Sequence, residues 1–124
     1  MLQRVLLVDS EETNLDQLNV IFKDLYNTFP SIYAGNISSL YEFILNDENG
    51  VVFIRIDDMS IDGLELSRKA RIWYPRIQVV WMSHNENYAL DAFTQGIDAY
   101  LKLPASQEKL LQVIENLQLR KITL

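Results

Sequence analysis

The chain has 124 residues, 48% of them apolar, with 11 Lys and Arg against 17 Asp and Glu. That length fits one domain, spanning residues 1–124, that buries roughly two thirds of its unfolded surface, and the composition excludes a disordered chain. The net charge of −6 argues against phosphate-backbone binding, the lack of cysteine removes disulfides, thiol nucleophiles and Cys-ligated metals, and the single histidine, His84, cannot build a multi-histidine metal site.

The first apolar run, Val5-Leu6-Leu7-Val8, is shorter than a signal core and stops at Asp9. No run is long enough to span a membrane, so a cytoplasmic location is expected. Leu15, Leu18, Phe22 and Leu25 follow at helical spacing, and Thr13 with Asp16 is spaced as a capping box. A weaker strand fits 31–35, and Ser39 with Glu42 starts a second helix. The Asn49-Gly50 turn leads into the run 51–54, which ends in Arg55. Asp62 with Glu65 is an acidic capping box for a helix carrying Leu66, Ala70 and Trp73 on one stripe. Tyr74-Pro75 ends that helix. The run 79–82 follows and ends in Ser83-His84. Gly96 ends a fourth helix, 99–103 is a weaker strand, and Leu110, Val113, Ile114 and Leu117 mark a last helix.

This β-α alternation, repeated five times, predicts an α/β layer fold with a parallel sheet and helices on both faces. The runs are rich in β-branched and aromatic residues and lack a helical period, as strands buried on both faces do. In such a sheet the strand ends share one edge, where ligands bind. Asp9, Ser10, Arg55, Asp57, Ser83 and His84 are therefore candidates for one constellation. The bland reading is that polar residues belong at strand ends because those ends meet solvent.

Three stretches, Val-Leu-Leu-Val-Asp-Ser-Glu-Glu at 5–12, Met-Ser-Ile-Asp-Gly-Leu-Glu-Leu at 59–66 and Tyr-Ala-Leu-Asp-Ala-Phe-Thr-Gln-Gly-Ile-Asp-Ala-Tyr-Leu-Lys-Leu-Pro at 88–104, resemble the receiver domain of two-component response regulators. The third is most similar to receivers attached to LytTR-type DNA-binding domains. The resemblance implies a (βα)5 flavodoxin-like three-layer sandwich with a parallel five-stranded sheet in order 2-1-3-4-5. It also implies a chemistry. A carboxylate ending the third strand accepts a phosphoryl group from a histidine kinase, two acidic residues after the first strand hold Mg²⁺ with it, and a Ser or Thr and a Lys bond the phosphoryl oxygens. Metal and Lys are needed because the incoming group is anionic.

Carried over residue by residue, the pattern breaks at several positions. Asp9 matches, but the second acidic position is Ser10, and the phosphoacceptor position is Arg55. Ser83 matches the hydroxyl position, and a bulky His84 follows where a small residue is usual. Pro104 matches the proline of the usual Lys-Pro pair, a cis-proline candidate, but the Lys position is Leu103. Lys102 is one residue away and is expected to face the other side of the strand. Counted from Asp9 and Arg55 alone, the pocket charge falls from about −2 to 0, so Mg²⁺ binding is expected to be lost or weak and no cofactor is expected. An Arg55–Asp9 ion pair is expected from the implied strand order.

The resemblance thus implies a pseudo-receiver of a regulatory pathway, not phosphorylated by the usual route, not an enzyme, and acting through protein contacts. The partner is an output domain, another protein, or a second copy docked on the face of the fourth and fifth helices and fifth strand. Candidates there are Tyr88, Phe93, Tyr100, Lys102 and Lys109. The segment then reads as the N-terminal part of a longer transcriptional regulator, with no direct contact to nucleic acid or membrane. Two alternatives stand beside it. Asp57 is a displaced phosphoacceptor, against the bland reading that Asp57 and Asp58 are solvated loop carboxylates. Or the scaffold binds or turns over a small molecule, although Ser83, His84 and Asp9 lack a nucleophile elbow and no phosphate-cradling glycine loop occurs.

Overall fold

A computed structural model of the chain describes residues 5–26, 31–33 and 50–123. Five strands, β1 (Val5–Val8), β2 (Ser31–Tyr33), β3 (Val51–Arg55), β4 (Gln78–Ser83) and β5 (Ala99–Lys102), form one sheet in the order β2-β1-β3-β4-β5. Every pairing is parallel. Four helices are described: α1 (Glu12–Tyr26), α2 (Gly63–Trp73), α3 (Tyr88–Thr94) and α4 (Gln107–Thr123). The helix expected from Ser39 and Glu42 lies outside the described residues, so the fourth and fifth helices of the sequence reading are α3 and α4.

The strands bury both faces, as their unbroken apolar runs require. Every residue of β1, β3 and β4 is buried, whereas the edge strand β5 is half-exposed. Alternation along the strands separates two cores. Leu7, Phe53, Val80, Met82, Leu101 and Leu103 face α1 and α4 through Leu18, Phe22, Leu110 and Ile114. Leu6, Val8, Val52, Ile54, Val79 and Trp81 face the opposite layer through Leu66, Ala70, Ala92 and Ile97. Each fully buried large side chain contributes on the order of 1.5–3 kcal/mol. Phe22 meets Phe53 edge-on, with centroids 5.6 Å apart.

The helix boundaries separate the sequence signals that act from those that do not. Asp62 caps α2 by accepting the Glu65 N–H at 3.1 Å. Tyr74 ends that helix, and Gly96 follows α3 at φ +69°, a conformation that favours glycine. Thr13 is not a cap, because α1 starts one residue earlier, at Glu12. Trp73 does not share the buried stripe of Leu66 and Ala70; it is exposed at the end of α2. The buried indole is Trp81, whose Nε1–H donates to Ser67 Oγ at 2.9 Å.

Gly63 sets how closely α2 approaches the sheet. A Cβ there would lie 2.2 Å from the Arg55 carbonyl oxygen, a backbone atom that cannot swing aside. Gly63→Ala is expected to cost about 1–3 kcal/mol by overpacking, read as a lower urea midpoint with an unchanged slope.

Candidate functional site

Parallel register builds the site. Val8 pairs with Ile54, so the next residues, Asp9 and Arg55, emerge side by side. Arg55 pairs with Met82, which brings Ser83 and His84 to the same edge. Gly63, packed on the Arg55 carbonyl, closes the β3–α2 loop over that edge.

Arg55 and Asp9 are both buried, with side-chain exposures of 7% and 0%. A guanidinium in that position needs compensating charge, because moving it out of water costs several kcal/mol. The structure surrounds it with three carboxylates. Arg55 Nη1 donates to Asp9 Oδ2 at 3.1 Å and Oδ1 at 3.3 Å, and to Glu11 Oε2 at 3.4 Å. Arg55 Nε donates to Asp57 Oδ1. The expected Arg55–Asp9 pair is present, but it is one part of a wider cluster. The pocket is also not neutral, as counted from Asp9 and Arg55 alone. With Glu11 and Asp57 in contact, three carboxylates face one guanidinium.

Asp9 and Asp57 are held from behind. Asp9 accepts the Asn14 Nδ2–H and the Glu11 N–H, the latter at 3.0 Å. Asp57 accepts the His84 N–H at 3.0 Å through its second oxygen. Burial works against the charges of Arg55 and Asp57. For Arg55, the hydrogen bond to Asp57 and the charges of Asp9 and Asp57 outweigh it and raise the pKa. For Asp57, the hydrogen bonds from Arg55, His84 N–H and Ser83 outweigh it and lower the pKa.

Ser10, at the second acidic position, turns to a different partner. Its hydroxyl and N–H both donate to Asp58 Oδ2, while Ser60 Oγ and N–H donate to Oδ1 at 2.7 and 2.9 Å. Asp58 is therefore no free loop carboxylate. Partial burial opposes its charge, but the hydroxyls of Ser10 and Ser60 and their N–H groups bring its pKa down to about 2. Glu11, Asn14 and Ser60 were not singled out from sequence, and Asp58 was read only as a solvated loop carboxylate. Glu11 and Asn14 carried a usable signal, lying two and five residues beyond Asp9, Glu11 just before α1 and Asn14 in its first turn.

The other candidates divide. Ser83 is buried, and its Oγ accepts the Asn85 N–H at 2.8 Å. His84 is exposed and reaches the site by its backbone, not its ring. Leu103 is fully buried in the core of α1 and α4, and its peptide bond to Pro104 is cis. Lys102 Nζ donates to the Leu103 carbonyl at 3.2 Å and to none of the carboxylates. On the expected interface face, Phe93 is 83% exposed and Leu90 70%. Tyr88 and Tyr100 pack partly against the core, and the Tyr100 hydroxyl donates to the Asn85 carbonyl. Burial, with the charges of Asp57 and Glu86, raises the Tyr100 pKa against the hydrogen bond to Ser83 that lowers it. Lys109 Nζ donates to the Pro104 carbonyl at 3.2 Å.

No protein-family model matches the chain. It is similar to sensory transduction protein LytR of Staphylococcus saprophyticus, 25% identical over 116 residues that cover 93% of this chain and 45% of the relative. It is also similar to transcriptional regulatory protein LytR of Staphylococcus aureus, 20% identical over 95% of this chain and 48% of the relative. The chain spans about half the length of the curated relatives it matches. A solved response regulator receiver domain protein from Clostridium thermocellum shares the fold, with a TM-score of 0.76, 18% identity, and coverage of 99% of this chain and 100% of that one.

Two outcomes are expected of this cluster. Arg55→Ala should lose about 3 kcal/mol, the low end for stranding a buried charge, since Asp9 keeps Asn14 and the Glu11 N–H; denaturant unfolding measures it. Acid should also weaken the fold. Asp57 and Asp58 have lower pKa values folded than unfolded, so each stabilises the fold fully above about pH 5 and loses that contribution as the pH falls, that of Asp58 fading toward pH 2. In Asp58→Asn, the drop in urea midpoint between those limits should be smaller than in the parent.

Proposed function

We propose that this receiver domain of the response-regulator family does not take a phosphoryl group by the usual route and signals through protein contacts. The observation that carries the reading is the Arg55 guanidinium, seated at the phosphoacceptor position between Asp9, Glu11 and Asp57. Arginine has no carboxylate oxygen to attack phosphorus. The nearest alternative nucleophile, Asp57, has one oxygen on Arg55 and the other on the His84 N–H. The residues also do not suit Mg²⁺. The metal wants near-ideal octahedral oxygen geometry, while these carboxylates meet different edges of a planar cation and the second acidic position is a serine bonded elsewhere.

The chain's length relative to LytR supports its being the receiver part of a longer transcriptional regulator. The displayed side chains of α3, Leu90 and Phe93, support contact to an output domain or a second copy on that face. No helix among the described residues is long and apolar enough to cross a membrane.

The test is a phosphodonor experiment. Incubated with Mg²⁺ and acetyl phosphate, the protein should show no mass gain of about 80 Da, the increment of one phosphoryl group. An acid-stable, hydroxylamine-labile adduct mapped to Asp57 would overturn the reading in favour of a displaced acceptor. Phe93→Glu should weaken self-association or binding of the downstream segment of the same polypeptide, measured by analytical ultracentrifugation.

A further inference from the structure

We propose that the outward face of α2 and the turn after it dock an acidic peptide segment of a partner protein, anchored by one large apolar side chain. This surface shares no residue with the Arg55 pocket or the α3 face, so it goes beyond the reading above and does not rest on it. Charge singles it out. Residues 64–76 hold four of the eleven basic residues, Arg68, Lys69, Arg71 and Arg76, and one of the seventeen acidic ones, Glu65. The segment is therefore +3 in a chain of −6, and the other residues together carry −9. Exposure singles it out again. Gly63, Leu66, Ser67 and Ala70 form the buried side of α2. On the outward side Leu64, Arg68 and Ile72 make one row at i, i+4 spacing, and Glu65, Lys69 and Trp73 make the next. Leu64, Ile72 and Trp73 are 42%, 60% and 41% exposed. Lys69 Nζ lies 5.8 Å from the Trp73 ring centroid, a cation–π contact. Beyond the helix end, a cleft of about 260 Å³ is lined by Trp73, Tyr74, Pro75 and Arg76.

Trp, Tyr and Arg are the side chains that dominate binding energy at protein interfaces. The cleft is smaller than the roughly 300–1,000 Å³ of small-molecule sites, and its size suits one inserted side chain. Charge complementarity selects the rest of the occupant. The +3 segment attracts an anion, but not an extended one. A nucleic-acid duplex carries one negative charge per about 1.7 Å and would run past α2 onto a surface dominated by the remaining −9. An anionic bilayer would do the same in two dimensions. A short peptide stays on the patch. The rows from Leu64 to Trp73 span about 14 Å, which an extended segment covers with about four or five residues. Arg68 already shows how a carboxylate sits there. Its Nε and Nη2 donate to the two oxygens of Glu65 at 3.0 and 2.6 Å, and Lys69 Nζ lies 3.8 Å from Oε1. That pair is bidentate and exposed, so it yields to an incoming carboxylate at little cost. Arg71 stays apart, donating to the Gln95 carbonyl.

The test screens the wild-type chain against an array of short peptides of random composition. Bound peptides should be enriched in Asp and Glu around one aromatic or large aliphatic residue. The best of them is then titrated by fluorescence. Trp73 is exposed and Trp81 buried, so acrylamide quenching should fall on binding, and that change should vanish in Trp73→Phe. The double variant Arg68→Glu, Arg76→Glu should bind at least about tenfold more weakly, and Arg68→Gln, Arg76→Gln replaces it if circular dichroism shows a lost fold. Raising NaCl from about 50 to about 300 mM should weaken the wild type severalfold. Glu65→Gln, which frees Arg68 for the peptide, should bind about threefold more tightly, a gain that a merely adhesive aromatic surface would not show. An array without that enrichment, or affinities indifferent to the Arg68 and Arg76 changes, would overturn the inference. So would tighter binding of an oligothymidylate or of phosphatidylserine vesicles than of any peptide. Self-association in the ultracentrifuge that the double variant abolishes would overturn it too, in favour of a second copy of the chain.

Discussion

A charged guanidinium at the end of a central strand must find carboxylates or the fold does not close. β3 lies between β1 and β4, so the end of Arg55's strand is enclosed by loops from both neighbours. The several kcal/mol needed to dehydrate each ion are recovered only if geometry and further hydrogen bonds are good. That requirement explains the support behind Asp9 and Asp57: Asn14 and the Glu11 N–H on Asp9, and the His84 N–H on Asp57. It also explains why the Gly63 contact matters to the site. Any residue larger than glycine would push α2 off the Arg55 carbonyl and shift the strand end that aims the guanidinium.

The same ion decides what chemistry the pocket can host. A phosphoryl group arrives with negative charge and leaves its negative charge on the acceptor, so a working site concentrates cations around a carboxylate nucleophile. In this chain the arrangement is inverted, with carboxylates concentrated around a cation. Glu11 and Asp57 leave the cluster with more negative than positive charge, which opposes an incoming anion. Ser10 adds to the inversion by binding Asp58 rather than contributing an oxygen to the shared centre. The global charge of −6 gave no sign of this, because one Arg among eleven basic residues moves it little.

Legibility from sequence followed the range of the interactions involved. Strand runs such as Val5–Val8 were readable because burial on both faces demands apolar residues at every position, a local pattern. The Asp62 cap and the Gly96 helix end were readable for the same reason, each being a rule about three or four adjacent residues. The positions of Arg55, Ser10 and Leu103 came from their offsets to recognisable neighbours such as Gly63 and Pro104. What could not be read was partner choice across the chain. Ser10 and Asp58 are 48 residues apart, and Arg55 and Glu11 are 44 apart. Counting charges at aligned positions missed Glu11 and Asp57 because neither occupies a position that the pattern marks as acidic. Trp73 failed for a different reason. The helical stripe continued to it, but Trp73 is the last residue of the helix and stays exposed, while Leu66 and Ala70 are buried.

The exposed side chains of α3 follow from its length. The helix has seven residues, and of these Ala92 is buried. Two turns carry too few apolar positions to cover both the core and an outward face, so stability of this element depends on its ends. At one end Arg71 Nη1 donates to the Gln95 carbonyl at 2.6 Å and Gly96 turns the chain away. At the other, residues 84 and 85 are tied to Asp57, Ser83 and Tyr100. A helix pinned at its termini rather than along its side can present Phe93 and Leu90 to solvent without losing its place. On the proposed reading, that is the physical link between the pocket and the surface. Arg55 secures Asp57, Asp57 secures the loop, and the loop fixes the helix whose apolar residues a partner would cover.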